Sequence, residues 1–184
     1  MIIFDYLDQL YEDIKESDWE TVETKYRDLA LKWSKKNVVK KISDTNLTSY
    51  KKTITEKLAE AVDLAESISA KAIYFEYDMD NNWRGYFLIT PGYFNENEGD
   101  EDWACEWEEE LDGPELPQFA KIYKKYGGYG KDDAGNGTTL YLIARTVCAF
   151  GQCVENIPPT SLAICIGFHD QDPIWRILDA EIEE

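Results

Sequence analysis

One histidine in 184 residues, His169, is the scarcest reactive group of this chain. That count excludes any mechanism or metal site that needs two imidazoles. Positive charge is also short: 19 Lys and Arg face 37 Asp and Glu, leaving a formal charge of −18. A polyanion of that size repels phosphate backbones, so no nucleic-acid partner is expected. Long apolar runs are missing. The most apolar stretch, residues 140–154, carries Arg145 in its middle and falls short of the roughly 20 apolar residues that cross a bilayer, so no membrane partner is expected. The first residues lack a basic flank and are interrupted by Asp5 and Asp8, which does not read as a secretory leader. Four cysteines without an export signal (Cys105, Cys148, Cys153 and Cys165) read as reduced thiols in a cytoplasmic setting.

The chain is rich in what fills a core: 43% hydrophobic residues, with 6 Trp, 12 Tyr and 7 Phe. At this length a single domain buries roughly 70% of its unfolded surface. No internal repeat or long linker interrupts residues 1–184, which read as one α+β domain with a helical part, 1–70, and a sheet-containing acidic part, 71–184. The two parts differ in charge, −3 against −15.

In the first part apolar residues recur at helical spacing, Ile3, Leu7, Leu10, Ile14 and then Trp19, Val22, Tyr26, Leu29, Trp33, which predicts two amphipathic helices. Ser17-Asp18-Trp19-Glu20 fits a capping box between them, with Ser17 as the cap. A third helix is predicted after Ser43-Asp44, with Tyr50, Ile54, Leu58, Ala61, Ala65 and Ile68 inward. From Lys71 the period becomes two: Ile73, Phe75 and Tyr77 alternate with Ala72, Tyr74, Glu76 and Asp78, and residues 83–90 give a second β-rich run, joined through Met79-Asp80-Asn81-Asn82. Residues 103–108 alternate again. This predicts a strand with Trp103, Cys105 and Trp107 in the core and Glu106, Glu108 and Glu110 in water. A helix over 118–126, a glycine-rich loop over 127–137, a buried helix over 138–154 and strands over 162–168 and 174–178 complete the reading. N-terminal helices on a mainly antiparallel sheet of about five strands, with two further helices between strands, fit this order.

Several motifs come close to known chemistry and fail. Asp78-Met79-Asp80-Asn81-Asn82 starts like a calcium loop, but Trp83 stands where the turn needs Gly and Ile89 where a bidentate Glu is needed. A polar hairpin turn bonded to its own backbone is the plainer reading. Gly127-Gly128-Tyr129-Gly130-Lys131 lacks the Ser or Thr and the first Gly of a phosphate loop. His169, oriented by Asp170 or Asp172, could serve Cys105, Cys153 or Cys165 as nucleophile, yet no flank resembles a nucleophile turn. Cys148 and Cys153 diverge by about 140° on a helix and cannot share a metal. No cofactor, metal or catalytic residue is assigned.

The most distinctive feature is acidic: eleven carboxylates and no basic residue lie between Glu96 and Glu115. Either this stretch solubilises the protein or it docks a basic partner, for which closely spaced anions raise the association rate. The second reading assigns partner binding to Asp100, Glu101, Asp102, Glu106, Glu108, Glu109, Glu110 and Asp112.

The helical N-terminus, the strand Lys71-Ala72-Ile73-Tyr74-Phe75-Glu76-Tyr77-Asp78 and the acidic segment Asp100-Glu101-Asp102-Trp103-Ala104-Cys105-Glu106-Trp107 together resemble the immunity proteins of bacterial polymorphic toxin systems. The resemblance implies a small acidic cytoplasmic α+β protein that binds and blocks a cognate toxin, often a basic nuclease, without being an enzyme. The alternative is a small carboxylate- or metal-dependent hydrolase.

Overall fold

The computed structural model describes residues 2–96, 102–130, 132–169 and 173–180. Four helices come first: α1 (Ile3–Glu16), α2 (Trp19–Trp33), α3 (Lys36–Ser43) and α4 (Thr48–Ser67). They are followed by β1 (Ala72–Asp78), β2 (Arg84–Thr90), β3 (Glu109–Asp112), α5 (Pro117–Tyr126), α6 (Asp133–Val154), β4 (Ala163–Phe168) and β5 (Trp175–Leu178). The fold is α+β, and its single sheet runs β3-β2-β1-β4-β5. Three neighbour pairs are antiparallel and β1 with β4 is parallel.

The helix starts show where local chemistry overrides pattern. The cap of α2 is Asp18, not Ser17: its carboxylate accepts from the Thr21 amide at 2.9 Å and from the Thr21 hydroxyl at 2.8 Å, while Ser17 ends α1. A carboxylate satisfies two donors there, where a serine hydroxyl would satisfy one. The eight-residue α3 is a further helix that the periodicity did not separate from its neighbours. The glycine-rich stretch is loop only as far as Asp132, whose Oδ1 accepts from the Gly135 amide at 2.6 Å and opens α6. Gly135 and Gly137 thus belong to a helix.

Helix α6 is the central post of the molecule. Of its 22 residues 18 are buried, the pattern of a helix enclosed on all sides. Phe150 stacks on Phe75 of β1 with ring centroids 4.9 Å apart, and α1, α2 and α3 pack on α6 from the far side. The tryptophans at the two ends of α2 lie over two glycines of α6: a Cβ at Gly151 would collide with the Trp19 ring, and one at Gly137 would be tight against Trp33. Each pair is separated by about four helical turns, so both contacts fall on one stripe of each helix and fix an antiparallel register. The one charged residue in the middle of α6, Arg145, is fully engaged: its Nε donates to Glu23 Oε1 at 3.0 Å and its terminal nitrogens donate to the carbonyls of Ile42 and Thr45. It binds α2 and the end of α3 to the post.

Trp83 stands immediately before β2 and turns inward. Asn82 and Trp83 both adopt positive φ, which is unusual for a bulky residue. Burial compensates: Trp83 is fully enclosed, stacks on Tyr77, meets the edges of Phe119 and Tyr123, and donates its Nε1 proton to Thr146 at 3.0 Å. The carboxylate of Asp78 accepts from the amides of Asp80 and Asn81, so the calcium-like turn is bonded to its own backbone.

Candidate functional site

The sheet has two unlike faces because side chains alternate along each strand. Ile73, Phe75, Tyr77, Phe87, Ile89, Ile164, Ile166 and Phe168 point into the helical core. On the opposite face a second, smaller core forms from Ala72, Tyr74, Leu88, Ala163, Cys165 and Ile174, closed by Trp103 and Ala104 of the connection between β2 and β3. The described residues of that connection form a partial lid. Tyr93 meets the Trp103 ring edge-on at 5.0 Å and donates its hydroxyl to Asp179; Arg176 donates to the Phe94 carbonyl; and Glu96 pairs with Lys15 of α1 at 2.9 Å. The hydrogen bond from Lys15 holds the Glu96 carboxyl below its ordinary range, and burial raises the Tyr93 hydroxyl.

Among the described residues the lid covers only the half of the face nearest Tyr74, and residues 103–108 do not form the predicted strand. Asp102–Cys105 form a 3₁₀ turn, and β3 begins at Glu109. Trp103 is buried, as the alternation required, but Cys105 is exposed and Trp107 is 48% exposed, both against expectation. The tighter turn rotates successive side chains by about 120°, so positions 103, 105 and 107 do not share a face. Only in β3 does the period of two resume, with Glu110 opposite Leu88 and Asp112 opposite Tyr86.

Beyond the lid the outer face is an open concavity of about 320 Å³, lined by Glu76, Asp78, Tyr86, Leu88, Trp107, Glu110 and His169. Leu88 is its apolar floor, the rings of Tyr86 and Trp107 stand in its walls, and three carboxylates edge it. His169 Nδ1 lies 3.0 Å from Glu76 Oε1. Among the described residues no Lys or Arg lines it. Arg84 stands beside it on β2, with its guanidinium 5.3 Å from the Tyr86 ring centre and Nη2 donating to Asp112 Oδ1 at 2.7 Å.

Of the residues assigned to partner binding from sequence, Asp102, Glu106, Glu108, Glu109, Glu110 and Asp112 are all exposed; Asp100 and Glu101 lie outside the described residues. Asp112 is taken by Arg84, whereas Glu106, Glu108, Glu109 and Glu110 have no ion-pair partner among the described residues. Glu76, Tyr86, Leu88 and Trp107 were missed as site residues, and Asp78 and His169 were weighed only for a calcium loop and a thiol pair; the even positions of β1 turn from Ala72 and Tyr74 to Glu76 and Asp78, a signal that one end of that face is wet.

The alternative chemistries gain little from this geometry. Of the three candidate nucleophiles, Cys153 lies in α6, on the other side of the sheet from His169, with its thiol raised by burial; Cys165 is buried on β4 opposite Tyr74, and Cys105 is exposed in the 3₁₀ turn. Asp170 and Asp172, the proposed orienters, lie outside the described residues. Among the described residues no group of three or more His, Cys, Asp or Glu converges to hold a metal, and no helix is long and apolar enough to cross a membrane. No family model matches the chain, and no curated protein or solved structure matches it either.

Proposed function

We propose that this is a non-catalytic acidic binding protein that docks a basic protein partner on the open half of its outer sheet face. It is an inhibitor of the immunity-protein kind, working in a bacterial cytoplasm against a basic toxin such as a nuclease. The carrying observation is that Glu106, Glu108, Glu109 and Glu110 stand exposed, without ion-pair partners among the described residues, and that Glu110 lines the open concavity on a face that the described residues leave uncovered. Their mutual repulsion is an unrelieved cost that a cationic surface removes on binding. Co-expression with the product of the neighbouring open reading frame should yield a complex in which the partner's activity is blocked. Replacing Glu106, Glu108 and Glu109 together by Lys should slow association steeply at low salt, with circular dichroism unchanged. Unaltered affinity in the folded triple variant would sink this reading and return the stretch to a solubilising role.

The His169–Glu76 contact favours a second reading, a small hydrolase in which Glu76 orients His169 as general base over the same concavity. Turnover of model ester or phosphodiester substrates that disappears in His169→Ala, with the fold intact, would support it over the inhibitor.

A further inference from the structure

Resting on the docking reading above, we infer that the concavity between Trp107, Glu110 and Glu76 is the seat for an arginine side chain presented by the basic partner. The guanidinium would stack on the Trp107 indole and donate to the Glu110 carboxylate.

The molecule carries the pattern for this seat one residue pair away on the same face. Tyr86 on β2 stands opposite Asp112 on β3, and Arg84 completes the pair by lying over the ring and bonding the carboxylate. The next pair inward is Leu88 opposite Glu110, and there the ring is supplied from the side by Trp107. Ring and carboxylate recur together, but among the described residues no Lys or Arg lines this second position and Glu110 has no ion-pair partner. Charge alone would accept any cation. What narrows the ligand to arginine is the combination of a half-exposed indole plane, a carboxylate beside it and an apolar floor at Leu88. A planar, weakly hydrated guanidinium can stack and bond sideways at once, whereas an ammonium is a strongly hydrated point charge. The volume of about 320 Å³ admits one such side chain with its aliphatic stem on Leu88. Exposure of a large aromatic at the centre of an acidic field is also the pattern of a binding hot spot, where tryptophan and arginine are over-represented.

The test uses hexaarginine and hexalysine peptides titrated into the isotopically labelled full chain at fixed ionic strength, following the indole resonances; Trp107→Phe identifies the one that belongs to position 107. Hexaarginine should shift that resonance saturably and bind more tightly than hexalysine. Trp107→Ala should weaken hexaarginine roughly tenfold although the net charge is unchanged, and Glu110→Gln should cost more than Glu106→Gln. Circular dichroism of each variant checks that the fold is kept. Equal affinity for the two peptides, or a Trp107→Ala variant that binds hexaarginine as well as the parent does, would overturn the arginine seat. If, in that case, the Lys triple variant at 106, 108 and 109 still loses binding, the docking reading survives its refinement. If the triple variant also binds unchanged, both fail.

Discussion

Along β1 the odd residues Ile73, Phe75 and Tyr77 all go under helices, while the even residues pass from Ala72 and Tyr74 to Glu76 and Asp78 within one strand. The same five strands therefore offer two unlike surfaces. The inner face is a closed core sealed by α4 and α6; the outer face is dry only under Trp103 and Tyr93 and is acidic beyond them. What the comparison teaches is that a cover can be partial. A 3₁₀ turn with one anchoring tryptophan closes half of a face and leaves a rim where the other half begins.

The sharpest way to break this contrast is through tryptophans. Trp83, sealed in the inner core, should cost about 3–5 kcal/mol when changed to Ala, through the lost contacts and the cavity; its hydrogen bond to Thr146 goes with it. Denaturant unfolding measures this, and a loss under 1 kcal/mol would mean that the inner face is not the stabilising one. Alkali attacks the same side of the molecule. Burial raises the hydroxyls of Tyr26, Tyr50 and Tyr77 above their ordinary value of 10.0. The folded chain thus holds these protons more tightly than the unfolded one, so their contribution is complete below about pH 10 and declines as pH rises beyond it. Tyr126, whose hydroxyl Lys125 holds below its ordinary value, ionises first with the fold intact, and the last step of phenolate absorbance should coincide with a cooperative loss of circular dichroism. Ionisation of all 12 tyrosines with the fold intact would contradict the burial of these three.

Smaller effects belong to the outer face. In the covered half, a methyl at Gly167 would press on the Tyr74 ring, and Gly167→Ala should cost about 1 kcal/mol as that ring shifts against Trp103. In the open half, Trp107→Ala should change stability by about 0.5 kcal/mol or less. A melting temperature that falls as far for Trp107 as for Trp83 would erase the distinction between the faces.

Much of this was legible in the residues. Alternation over 72–78 and 84–90 places β1 and β2 and their inner faces, and the apolar spacing of α1, α2 and α4 marks the helix sides that pack. Two things were not legible. Residues 103–108 alternate like a strand, but alternation records only that every second residue is apolar, and a 3₁₀ turn followed by an edge strand gives the same string with Trp107 outside. The glycines between 127 and 137 read as loop because glycine usually weakens a helix; Gly137 is in the helix and sits close under Trp33, a contact with a residue about a hundred positions away. The open concavity is in the same class: His169 joins Glu76 only once β4 lies beside β1, and Trp107 only once β3 lies beside β2.

The two notches on α6 also bear on the order in which the molecule can be made. A ribosome releases α1 to α4 as a set long before residues 133–154 exist, and until then Trp19 and Trp33 have no glycines to rest on. The N-terminal third is therefore synthesised with its apolar stripes unmatched, and settling them requires a contact between distant parts of the chain, the kind that forms late and leaves nascent surface open to association. A fragment ending at residue 126 should remain loosely structured and prone to clump, as light scattering would register, whereas addition of the last sixty residues should gather the early helices in one step.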